Sequence, residues 1–179
     1  MIIKKFKFKQ VISTNKTAIR ILKKSNLNNG MIISDLQKKG KGQREKKWIS
    51  YKGNLFLSFF FNIDKTKISI KRITKINCLL VKKLISRYYK KNIIIKYPND
   101  LLIDKKKICG ILQEIIIKKN IKYLIVGIGL NIIKSPKIKN YPTTNLLKLT
   151  KKKFKAEHLG NELKLIFEKN FLKHYKIII

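Results

Sequence analysis

The sequence predicts an α+β domain, a mixed and mainly antiparallel sheet backed by helices. Three observations carry this. Short β-rich segments follow one another without the strict alternation of a βαβ fold; two stretches repeat apolar residues at i, i+3, i+4; and tight polar turns join neighbouring strands. At 179 residues and 44% hydrophobic, the chain is long enough for one core and short for two, so residues 1–179 are expected to form a single domain.

Each element follows in order. Met1 to Lys9 alternates Lys with Ile and Phe, a half-buried first strand without the apolar core of a signal peptide. Ser13-Thr14-Asn15 offers N-capping side chains to a helix carrying Ala18, Ile21 and Leu22, which Asn28-Asn29-Gly30 is expected to close. Met31 to Leu36 reads as a strand, and Gln37 to Lys47, polar, cationic and without period, as a mobile loop. Asn54 to Phe61 is an aromatic-rich strand, and Ile68 to Tyr89 an amphipathic helix through Ile73, Ile76, Leu80, Leu84 and Tyr88. A meander follows over Ile93 to Lys96, Leu101 to Asp104, Ile108 to Ile117 and Tyr123 to Leu130, with turns at Asp104 to Lys107 and Lys118 to Asn120. An irregular stretch through Pro136 and Pro142 leads to a last helix from about Lys155 to Lys173, with Glu157, Glu162 and Glu168 on its solvated face.

Composition excludes several classes. No apolar run approaches the roughly 20 residues of a membrane helix, the longest being Leu55 to Phe61 and Leu124 to Leu130. Cys78 and Cys109 lack CxxC or Cys/His spacing and read as buried free thiols in a reducing cytoplasm; His158 and His174 share a helix without a metal-ligand pattern. The net charge of +35 has two readings. Selection for an anionic partner is one. Compositional drift in an AT-rich genome is the other, since only four of the 44 basic residues are Arg and only two residues are Ala.

Three segments carry chemistry. Gln37 to Trp48 contains Gly40 and Gly42 among cations, either an anion cradle or a generic basic turn; the Walker pattern is absent. In Ile93 to Asp100 a lysine, Lys96, interrupts an apolar strand: a buried charge needing an anionic ligand or Asp100 as partner, or an edge lysine reaching solvent. Val126 to Asn131 places two glycines in a strand and an amide at its end, for close packing or for ligand approach.

Taken in order, Ser13-Thr14-Asn15, GKGQREKKW, GNLFLS, KYPND, KICGIL and GIGLN resemble the biotin protein ligase family over nearly the whole chain. The resemblance implies a catalytic domain of the class II aminoacyl-tRNA synthetase type that joins biotin to a lysine of biotin carboxyl-carrier protein, of acetyl-CoA carboxylase, through biotinyl-5′-AMP, with ATP and Mg²⁺ as cosubstrates. It further implies that Ser13, Thr14, Asn15 and Gln37 contact the biotin rings, that Gly40, Lys41, Gly42 and Gln43 belong to a loop closing over them, and that Lys96 holds the biotin carboxylate. Arg44, Lys47 and Trp48 would meet the nucleotide, Asp100 and Lys107 would serve catalysis around the adenylate, and Asn131 would face the phosphates and magnesium. Lys41 stands where the family usually has Arg, keeping the charge but losing bidentate geometry, and Tyr97 where it has Trp; Glu45, where it often has Gly, adds an anion to the loop, so weaker adenylate retention is expected.

Because the first strand begins almost at Met1 and the last helix ends the chain, neither an N-terminal helix-turn-helix nor a C-terminal β-barrel is expected, hence a monofunctional enzyme without operator binding. Sheet edges offer pairing to a second copy, as in some members. Two rivals stay open: a lipoate or octanoate ligase of the same superfamily, and a basic nucleic-acid-binding protein, against which the absence of RNP, KH and helix-turn-helix signatures counts.

Overall fold

The computed structural model describes residues 1–175, apart from the side chains of Glu45 and residues 172–175. Its elements are β1 (Lys5–Phe8), α1 (Thr14–Lys24), β2 (Asn29–Ser34), β3 (Gly40–Lys41), β4 (Lys47–Trp48), β5 (Leu55–Asn62), α2 (Ile70–Tyr88), β6 (Ile94–Lys96), β7 (Asp100–Ile103), β8 (Lys106–Lys118), β9 (Ile121–Leu130), α3 (Leu146–Thr150) and α4 (Ala156–Tyr175). Seven strands form one sheet in the order β1-β2-β5-β9-β8-β7-β6, and β3 pairs with β4 in a separate ribbon. Only β1 and β2 run parallel in the main sheet, because α1 carries the chain back across it; the remaining pairs are antiparallel. The α+β architecture is the one the sequence predicts.

The period-2 geometry of a strand divides β5 and β9 between two layers. Leu55, Leu57, Phe59 and Phe61, with Leu124, Val126, Ile128 and Leu130, pack against α2 and α4. Phe60, Tyr123 and Ile125 face Ala18 and Leu22 of α1. Both faces are covered, which is why β5 is apolar almost throughout. Hairpins β7–β8 and β8–β9 turn at Asp104-Lys105 and Lys119-Asn120, each with two consecutive positive φ values, as a two-residue type I′ turn requires.

Four sequence expectations change. The α1 helix ends at Lys24, and Gly30 lies inside β2, where a Cβ would overlap the Phe60 ring. Lys118 closes the helix instead, its Nζ donating to the carbonyls of Leu22 and Ser25. The segment from Gln37 to Lys47 is not a structureless loop, for backbone pairing of Gly40 with Trp48 and Lys41 with Lys47 builds the ribbon. Within the stretch between β9 and α4, the short α3 is capped by Asn145, whose Oδ1 accepts from Lys148 N at 2.9 Å.

The fourth correction concerns the carboxylates of α4. Glu157 meets Lys5 at 2.8 Å and Lys7 at 2.6 Å, Glu162 meets Arg87 at 2.7 Å, the Tyr88 hydroxyl and, at 2.9 Å, His158, and Glu168 accepts from Ile3 N at 2.7 Å. They tie the last helix to β1, α2 and the N-terminal segment. The Lys5 hydrogen bond, followed by that from Lys7, lowers the Glu157 carboxyl from its usual 4.5 to about 2. A depressed carboxylate pKa stabilises the fold above the unfolded value, and this contribution is lost as pH falls from about 4.5 through about 2. The urea midpoint of the wild type is therefore expected to fall more steeply than that of Glu157→Gln between these pH values; parallel curves would remove the clamp. No described helix is long and apolar enough to cross a membrane.

Candidate active site

The site exists because side chains are missing from one face of the sheet. The α1-facing positions at one end of the central strands are Gly127 and Gly129 on β9 and Gly110 on β8, with Gly110 directly opposite Gly129. A Cβ at Gly127 would overlap Asn15 Oδ1, one at Gly129 would overlap the Trp48 indole, and one at Gly110 would stand 2.7 Å from Trp48 Cζ3. These glycines let the start of α1 and Trp48, at the open end of the ribbon, lie directly on the sheet. Above this floor is a cavity of about 650 Å³.

One end is neutral and hydrogen-bonded. The backbone N–H and Oγ1 of Thr14 donate to Gln37 Oε1 at 2.8 and 3.1 Å. Ser58 Oγ lies 2.8 Å from Thr14 Oγ1 and 2.5 Å from Asn15 Oδ1, its single proton serving one of the two, and Asn15 Nδ2 donates to Glu114 Oε2 at 2.6 Å. Ser13, Thr14, Asn15 and Ser58 are buried, so each orients its neighbour with little freedom.

The other end is cationic. Seven Lys and Arg side chains line the cavity, against one carboxylate, Asp100, among the described residues. Lys107 Nζ is 2.8 Å from Asp100 Oδ1, a contact of charges outside hydrogen-bond geometry, while Tyr141 donates to Asp100 Oδ2 at 2.6 Å. Lys107 Nζ also stands 5.2 Å from the Trp48 ring centre, and Lys96 Nζ 4.5 Å from that of Tyr141. Trp48 Nε1 is a buried donor without a hydrogen-bond partner in the protein.

Of the residues picked out from sequence, Ser13, Thr14, Asn15, Gln37, Lys41, Gly42, Gln43, Arg44, Lys47, Trp48, Lys96, Asp100, Lys107 and Asn131 all line this one cavity. Gly40 does not; a Cβ there would stand 2.8 Å from the Trp48 carbonyl, so its place is in the ribbon's pairing. Lys96 is not a buried charge: it sits on β6, the edge strand, and is exposed. Asp100 pairs with Lys107 instead of Lys96. Asn131 is buried, donating through Nδ2 to the Thr144 carbonyl at 3.1 Å. The side chains of Glu45 and His174 lie outside the described residues. Burial pushes the Cys78 thiol up to about 12 and raises that of Cys109 too, leaving both protonated and inert. No group of three or more His, Cys, Asp or Glu with metal-binding geometry occurs among the described residues.

Sequence reasoning missed Ser58, Glu114 and Tyr141. Ser58 carried a signal, being the one polar residue inside an apolar strand and two positions from Phe56 and Phe60 on the same face. Asn54 was also unread: its Oδ1 accepts from the N–H groups of Ile132, Ile133 and Lys134 at 2.9, 2.9 and 3.2 Å and fixes the chain leaving Asn131.

The sheet thus carries a glycine-floored cavity, neutral at one end and cationic at the other, and the chain belongs to the biotin/lipoate A/B protein ligase family, whose model matches residues 8–131. Among individual relatives, the bifunctional ligase/repressor BirA of Bacillus subtilis is 27% identical over 167 residues, covering 89% of this chain and 51% of its own length. BirA of Escherichia coli is 27% identical over 55% of this chain and 32% of its own length. The chain thus spans about half the length of the Bacillus relative or less of the other. Among solved structures, biotin protein ligase from Aquifex aeolicus in complex with biotin and ATP superposes with TM-score 0.81 at 26% identity, over 97% of this chain and 72% of that one. A lipoate protein ligase from Thermoplasma acidophilum shares the fold, with TM-score 0.66 at 10% identity over 96% of this chain and 84% of its own.

Proposed function

We propose that the protein attaches biotin to a lysine of a biotin carboxyl-carrier protein, consuming ATP through biotinyl-5′-AMP. The observation that carries this reading is the two-ended cavity, with the Thr14, Asn15, Gln37 and Ser58 network at one end and the cations around Lys107 at the other. Biotin has the same polarity, a neutral ureido ring that exchanges hydrogen bonds and a chain ending in a carboxylate. A lipoyl dithiolane would bury those polar groups against an apolar ring, which is costly. Supporting it, the similar Aquifex aeolicus protein was solved with biotin and ATP bound.

Two anions must meet in the first step. A carboxylate oxygen of biotin attacks the α-phosphorus of ATP, the bond to the β-phosphate oxygen breaks, and pyrophosphate leaves. Lys96, at the cavity edge, receives the carboxylate, and Lys107, fixed by Asp100, screens the phosphorus as charge develops. Arg44, Lys47 and Trp48 on the ribbon and Asn131 at the end of β9 attend the nucleotide; Mg²⁺ enters with the triphosphate as part of the substrate. In the second step the carrier lysine amine, deprotonated with Asp100 as the nearest acceptor, attacks the acyl carbon of the mixed anhydride and AMP departs. The ribbon, lying on Gly110 and Gly129 through Trp48, excludes water from the anhydride meanwhile.

Labelled biotin, ATP and Mg²⁺ incubated with the protein and a purified carrier domain test this. ATP-dependent label on the carrier lysine is expected, with none from lipoate or octanoate. Transfer of lipoate alone would move the protein to the other branch of its family, and no transfer of either acid by the folded protein overturns the reading.

A further inference from the structure

Lys96 and Asp100 stand directly opposite one another on β6 and β7, where an opposite-charge pair normally closes. Here it does not. Asp100 spends Oδ1 on Lys107 at 2.8 Å and Oδ2 on the Tyr141 hydroxyl at 2.6 Å, and Lys96 rests over the Tyr141 ring at 4.5 Å. Tyr141 thus touches one charged residue on each of β6, β7 and β8, Lys96, Asp100 and, at 5.6 Å from its ring centre, Lys107. It belongs to the irregular segment after β9, which is laced to β8: Lys107 N–H donates to the Pro142 carbonyl at 2.8 Å, and Thr144 N–H to the Lys107 carbonyl at 2.9 Å.

We infer that Tyr141 is a positioning residue that keeps Asp100 paired with Lys107 and away from Lys96, so that the Lys96 ammonium meets the substrate carboxylate without a competing carboxylate of the protein. The aromatic face suits this task, for it holds an ammonium without neutralising it. Burial, with the Asp100 carboxylate accepting its proton, raises the Tyr141 phenol above its ordinary value, so it remains a donor at neutral pH. The inference rests on the reading of Lys96 as the holder of the biotin carboxylate.

Calorimetric titration of the full chain with biotin, without nucleotide, tests it. Tyr141→Phe keeps the ring but frees Asp100 Oδ2 to swing to Lys96, and is expected to weaken biotin binding by roughly 5–10-fold, the net worth of one ordinary hydrogen bond, since Lys96 is solvent-exposed. Biotinol, the uncharged alcohol analogue, should bind the variant and the wild type alike, which a merely damaged pocket would not allow. In an Asp100→Asn background the same substitution should cost nothing, since no carboxylate remains to compete. A loss within twofold for biotin, an equal loss for biotinol, or a loss that persists with Asp100→Asn would each overturn the inference. Absence of biotin binding by the wild type would instead remove the reading beneath it, and the inference with it.

Discussion

Lys107→Ala is expected to lower the rate of biotinyl-adenylate formation by about 10²–10³-fold, the usual cost of removing one preorganised group that stabilises transition-state charge. The side chain is 17% exposed and fixed on two sides, by Asp100 at 2.8 Å and by the Trp48 ring at 5.2 Å, so its ammonium is in place before substrate arrives. Its loss acts twice. A cation disappears from the point where two anions must approach, and Asp100, itself 14% exposed, is left as a carboxylate whose nearest cation has gone, facing an incoming triphosphate. Adding Asp100→Asn to the variant should therefore recover part of the rate, separating the repulsion from the missing charge. Lys107→Arg keeps the charge but not its compact shape, and should recover less than the wild-type rate. Single-turnover release of pyrophosphate measures all four proteins; a rate for Lys107→Ala within threefold of the wild type would take the lysine out of the chemistry.

Phe167→Ala should be the most destabilising single truncation, about 3–5 kcal/mol. Phe167 is fully buried on α4, with its ring 4.3 Å from that of Phe59 and 5.9 Å from that of Phe61, while the Phe171 ring one turn on lies tilted, 4.3 Å from that of Phe61. This cluster anchors the last helix to the middle of β5, and a cavity there has no flexible neighbour to fill it. Against a typical net stability of about 5–15 kcal/mol, the loss is large enough to read directly from urea unfolding. Leu165→Ala, two residues away and 53% exposed, should change stability by no more than about 0.5 kcal/mol. Equal effects of the two variants would show that α4 is not held through its aromatic face.

The sequence by itself determined what depends on near neighbours along the chain. The i, i+3, i+4 spacing placed α1 and α2, polar pairs at Asp104-Lys105 and Lys119-Asn120 placed the hairpin turns, and the ordered motifs marked all but one of the predicted site residues that share the cavity. What it left undecided depends on contacts between distant segments. Gln37 to Lys47 has no period because a two-pair ribbon needs none, its shape being set by Trp48 lying on Gly110 and Gly129. The carboxylates of α4 read as solvated because their cations, Lys5, Lys7 and Arg87, come from elements far away in sequence. Lys96 had two readings, a buried charge or an edge lysine, because an edge strand and a central one look alike when only their own residues are visible, and the strand order decides for the edge. Tyr141 was invisible for the same reason: a tyrosine in an irregular stretch acquires meaning only when the fold lays it between Lys96 and Asp100. Periodicity is written by each element's own backbone geometry, whereas the partner of a charge is chosen by whichever chain segment packing brings within a few ångströms.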